Sequence, residues 1–136
     1  MRLSEAGELL ALIKAYDNRS FNEETSAAWY DLLHPYSLAE AKHAVKKHYS
    51  ESRDWLMPAD VLRIIKTERR TRLAKVETIV PSRADMTSTA AELATTKALS
   101  KAIASGELTP EAYEAYMRGN TPWVTYRRGL RELRAA

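Results

Sequence analysis

The 136-residue chain has no cysteine, four glycines, one phenylalanine and no long apolar run. Each shortage removes a class of chemistry. Without cysteine there is no disulfide framework, no thiolate zinc site and no Cys nucleophile, and the composition suits a reducing cytosol. With glycine only at 7, 106, 119 and 129, neither a phosphate-binding P-loop nor a dinucleotide fingerprint can be written. No stretch approaches the roughly 18 apolar residues of a membrane span, and the first residues carry no signal-peptide pattern. What is present is ordinary for a small globular protein. Hydrophobic residues make up 45% and charged residues 29% of 15.4 kDa, which suits one compact domain or a small domain with an extension.

The net charge of +3 hides an asymmetry. Residues 1–64 carry 8 Lys/Arg against 10 Asp/Glu, whereas residues 65–136 carry 13 against 8. Its sharpest part is Arg63, Lys66, Arg69, Arg70, Arg72 and Lys75, opposed within that stretch only by Glu68. Such a run reads either as a solvated face or as a nucleic-acid contact, and charge alone does not choose between them.

Apolar spacing and capping residues predict an all-α protein. Ser4 opens a first helix whose Leu9, Leu10, Leu12, Ile13 and Tyr16 share a broad face, and Asp17, Asn18 and Ser20 break it. Asn22 caps a second helix, with Glu23 and Glu24 in its first turn and Trp29, Leu32 and Leu33 at helical spacing, ending before Pro35. Ser37 and Glu40 form a capping box for a third, striped by Leu38, Ala41, Val45 and His48 or Tyr49. Pro58 suits the first turn of a fourth, which carries Val61, Leu62, Ile64 and Ile65. These elements predict a four-helix N-terminal domain over residues 1–76, then a Pro- and Ser/Thr-containing linker over 77–88. Thr89 and Glu92 form a second capping box, Ser105-Gly106 stops that helix, and Thr109-Pro110-Glu111 starts another that ends at Gly119-Asn120. Residues 89–118 are thus a short helical extension and 119–136 a basic amphipathic tail.

Catalytic patterns are scarce. Glu40-Ala-Lys-His43 is a single Glu-x-x-His unit, where di-iron bundles need two, and Glu40 already serves the capping box. His43 and His48 are five apart rather than the four that aligns two imidazoles, and no nucleophile elbow is present. His48 reads as a core-edge residue, His34 as a turn residue, and Trp29, Tyr30 and Tyr36 as packing. Trp55, ahead of Leu56-Met57-Pro58, is expected to plug its loop against the domain. In the tail, Trp123, Tyr126, Leu130 and Leu133 form an apolar stripe bordered by Arg127, Arg128, Arg131 and Arg134. Three readings fit it: aromatic stacking on single-stranded nucleic acid, hot-spot anchoring in a protein groove, and folding back onto the chain's own core.

Four stretches together carry a family resemblance: Glu8-Leu-Leu-Ala-Leu-Ile-Lys-Ala-Tyr16, Thr25-Ser-Ala-Ala-Trp29-Tyr-Asp-Leu-Leu33, Ala41 through His48, and Met57-Pro58-Ala-Asp-Val-Leu-Arg63. Over about residues 4–70 the sequence resembles the N-terminal domain of the phage replicative-helicase loader/inhibitor family. The resemblance implies a non-enzymatic adaptor of phage DNA replication, without cofactor or metal, working in the bacterial host cytosol. It implies binding to a hexameric replicative helicase, which is loaded or inhibited, and delivery to an origin-bound initiator. In that family the C-terminal part is extended or mobile and contacts the helicase. The capped helices over 89–118 depart from this pattern. The expected partner-binding residues are therefore chosen on their chemistry: Trp123, Tyr126, Leu130 and Leu133 as anchors, and Arg127, Arg128, Arg131 and Arg134 to steer the encounter. The rival reading is a small basic DNA-binding protein, a phage regulator or replication initiator, using Arg63, Lys66, Arg69, Arg70, Arg72 and Lys75. An Ala-rich face at Ala91, Ala94, Ala98 and Ala102 fits packing on the first domain or on a second copy.

Overall fold

A computed structural model describes residues 1–135. Among them are seven α-helices, one turn of 3-10 helix at Arg83–Asp85, and no strand. The helices are α1 (Leu3–Asp17), α2 (Glu23–Leu33), α3 (Leu38–Glu51), α4 (Pro58–Ala74), α5 (Thr89–Ser105), α6 (Pro110–Gly119) and α7 (Trp123–Ala135). Among the described residues, no helix is long and apolar enough to cross a membrane. The chain divides into two compact units, Met1–Glu68 and Arg69–Ala136, so the boundary falls inside α4.

Unit 1 is built as its capping residues dictate. The Asn22 side chain accepts the Thr25 backbone N–H at 2.8 Å, and Ser37 Oγ accepts that of Glu40 at 3.2 Å. Pro58 is the first residue of α4, where no intrahelical N–H is needed. Asn18 takes the left-handed conformation, φ 59°, and stops α1. The start of α1 differs from expectation. Leu3 is already helical, and the Arg2 backbone N–H donates to the Glu5 carboxylate at 2.8 Å, a bond that leaves Ser4 no capping role. Leu9, Ile13, Leu33, Ala41, Val45, Leu56 and Val61 are fully buried in one core, with Trp29 against them.

Polar bonds fix the loops of this unit. Arg19 and Asp17 form a buried ion pair at 2.8 Å, with side chains 8% and 5% exposed. Arg19 Nη2 also donates to the Leu56 carbonyl at 2.6 Å, and the Tyr49 hydroxyl donates to Asp17 while accepting the Leu56 N–H at 3.1 Å. His48 Nε2 contacts the Asp54 carbonyl at 2.7 Å, which accounts for its burial at the core edge.

Unit 2 has its own core of Leu99, Ala102, Ile103, Leu108, Tyr113, Tyr116 and Trp123. The α5 cap is Ser88, one residue earlier than the Thr89–Glu92 pattern suggests, its Oγ accepting the Ala91 N–H at 3.1 Å. Gly106 (φ 84°) ends α5, Thr109 caps α6, and Asn120 (φ 48°) ends it. The 77–88 segment, expected as a linker, is packed into this unit. Ile79 lies against the core, the Val80 N–H donates to Tyr113 Oη at 2.9 Å, and the Ser82 N–H donates to Tyr116 Oη at 2.9 Å. Asp85 accepts from the Tyr116 hydroxyl and from the Trp123 N–H, the latter at 2.9 Å. Pro81 and Ser82 are buried because two tyrosine hydroxyls satisfy the backbone there.

Candidate partner-binding helix

Helix α7 follows Pro122, which cannot continue a preceding helix but whose carbonyl accepts the Tyr126 N–H at 3.0 Å. Its first residue, Trp123, is 5% exposed and meets Tyr116 edge-on at 5.8 Å. Trp123 therefore closes unit 2, which is the self-packing reading of its position. Tyr126 is half-buried, with its hydroxyl on the Ala112 carbonyl at 3.0 Å, and Leu130 is half-buried against the same core.

The arginines are divided between two tasks. Arg127 grips Glu107 through two bonds at 2.8 and 3.1 Å, Arg131 reaches the same carboxylate at 3.3 Å, and Arg134 donates to the Glu107 carbonyl. The Arg127 hydrogen bonds, set against partial burial and aided by the Arg127 and Arg131 charges, hold the Glu107 carboxyl below its usual range. Arg128 is exposed. So are Val124 at 69% and Leu133 at 75%. A shallow groove of about 560 Å³ runs along this helix, lined by Thr121, Thr125, Tyr126, Gly129, Leu130, Glu132 and Leu133. Leu133 thus stands exposed at the groove, whereas Val124, about half a turn away around the helix, is exposed on the opposite face, and Glu107 holds Arg127, Arg131 and Arg134. Val124 lies off the stripe seen in sequence, and only the fold shows that it is presented to solvent.

The basic residues of α4 are less uniform than their spacing implies. Arg72 Nε donates to the Ala104 carbonyl at 2.7 Å, so its guanidinium fastens the end of α4 to the end of α5 within unit 2. Arg63 pairs with Asp60 at 3.4 Å, and Arg69 is half-buried. Lys66, Arg70 and Lys75 are exposed. Among the described residues, no group of three His, Asp or Glu side chains is placed to hold a metal ion. His43 lies 3.8 Å from Glu68, which Lys47 also binds at 2.7 Å.

No curated protein and no solved structure matches the chain. Residues 1–58, which cover α1 to α3 and the loop into α4, do match a family model, that of the N-terminal domain of the phage helicase loader/inhibitor gp39P, the family that the helix pattern of unit 1 resembles.

Proposed function

We propose that this protein is a non-enzymatic adaptor of phage DNA replication that binds a hexameric replicative helicase in the host cytosol and loads or inhibits it. The match of residues 1–58 to the gp39P N-terminal domain carries this reading. The contact is assigned to α7, where Leu133 is exposed at the groove that Tyr126 and Leu130 also line, and Arg128 is exposed to steer an acidic surface. Trp123 supports the contact from within, by fixing the helix that presents those residues. Occupying a helicase interface needs no nucleotide site on this chain, so its effect is stoichiometric. An origin-bound initiator is the second partner in this scheme.

Deleting residues 121–136 would remove Trp123 from the core, so point variants make the better test. The purified full chain is expected to bind the replicative helicase of the phage or its host. Leu133→Asp should weaken that binding by about tenfold, the loss typical of one apolar anchor, with thermal stability unchanged. Wild-type affinity in this variant would remove the contact from the α7 groove. Failure of the native chain to bind either helicase would overturn the function itself.

A further inference from the structure

Local sequence makes Trp55 a plug for its loop, yet it is 62% exposed, and Met57 beside it is 52% exposed. The exposure does not come from a loose loop. His48 holds the Asp54 carbonyl, Tyr49 and Arg19 hold the N–H and carbonyl of Leu56, and Asp60 accepts the Met57 N–H at 2.9 Å. The indole itself rests on the Arg19 guanidinium at 4.8 Å, whose charge Asp17 neutralises from within. A tryptophan fixed at the surface in this way has already lost the freedom that binding would otherwise remove.

The ring lines a cleft of about 520 Å³ between the end of α3 and the start of α4. Among its charged lining residues, Lys47 is paired with Glu68 and Arg63 with Asp60. Glu51 and Asp54 are left without a salt bridge among the described residues, although Glu51 also feels the Lys47 ammonium. An apolar occupant would strand these carboxylates, and a phosphate would be repelled by them. We propose that the cleft is a docking site for a protein partner that inserts an arginine or lysine side chain, its stem against the Trp55 indole and its charge beside Glu51 and Asp54. The pairing of an aromatic face with carboxylates is what a cationic side chain recognises. The cleft belongs to unit 1, whereas the contact assigned to α7 belongs to unit 2, so neither assignment rests on the other.

The test follows the Trp55 indole N–H by NMR in the full chain while acetyl-Arg-Gly-Arg-amide is added, with acetyl-Glu-Gly-Glu-amide as control. The basic peptide is expected to shift that signal saturably, at millimolar concentration, and the acidic peptide to leave it unmoved. Glu51→Gln with Asp54→Asn, two exposed substitutions, should weaken the response about fivefold, as should loss of one such surface charge pair. An equal response to both peptides, or one unchanged in the double variant, would overturn the proposal. So would a Trp55 shift produced only by an oligothymidylate, or by raising the protein concentration alone, since the occupant would then be nucleic acid or a second copy.

Discussion

Asp17 ends α1 and holds Arg19, and through it the loop that carries Trp55. Its carboxyl lies below the usual range. Burial pushes the other way, but hydrogen bonds from Tyr49 and Arg19, together with the guanidinium charge, outweigh it. A carboxyl depressed on folding contributes stability above its unfolded pKa of about 3.9, and that contribution fades as pH falls through the lower folded value. Asp17→Asn leaves Arg19 buried without its counter-charge. It should cost about 3 kcal/mol at neutral pH, at the lower end of the range for breaking a buried pair. In urea unfolding, the gap between the two proteins should narrow once the pH drops below about 4. A gap that stayed constant with pH would mean that the ionised carboxylate is not what holds Arg19.

At the scale of the helix, α7 joins a poor intrinsic propensity to strong local fastening. Gly129 sits inside it, and a methyl group built there meets no atom within 4 Å beyond its chain neighbours and the helix's own backbone. Gly129→Ala should therefore raise stability by about 1 kcal/mol, the usual helix-interior difference, seen as a higher urea midpoint. A lower midpoint would show that the adjoining groove closes on the glycine. The helices themselves are legible in sequence, because Asn22, Ser37 and Thr109 act through bonds to residues three positions on, and Pro58 through its own fixed backbone. The partners of the 77–88 segment are not. Its order depends on the hydroxyls of Tyr113 and Tyr116, more than 30 residues distant, and a Ser-Arg-Ala-Asp stretch read alone looks like a helix start. Distance along the chain also hides the role of Glu107, which gathers three arginines of α7 that in sequence look free to bind a partner. Trp55 fails in the opposite direction, since local sequence makes it a plug and only the buried Arg19 explains how it stays outside.

For the whole molecule, the division into units sorts charge as well as packing. Residues 1–68 hold 9 Lys/Arg against 11 Asp/Glu, and residues 69–136 hold 12 against 7. Unit 1 is therefore net acidic and unit 2 net basic, the signs that the contacts proposed at the Trp55 cleft and at Arg128 on α7 require. Each unit also supplies its own core. The side chains around Leu9, Leu33 and Val45 come from unit 1, whereas those around Leu99, Tyr116 and Trp123 come from unit 2. Leu33→Ala, at a fully buried position, should cost about 3 kcal/mol by transfer and cavity terms together. Hydrogen exchange should show that loss in the amides of α1 to α3, with protection at Leu99, Ile103 and Tyr116 unchanged, as expected of separate cooperative units. Parallel loss in both sets would instead mean that α4, which carries the boundary, transmits unfolding from one unit to the other.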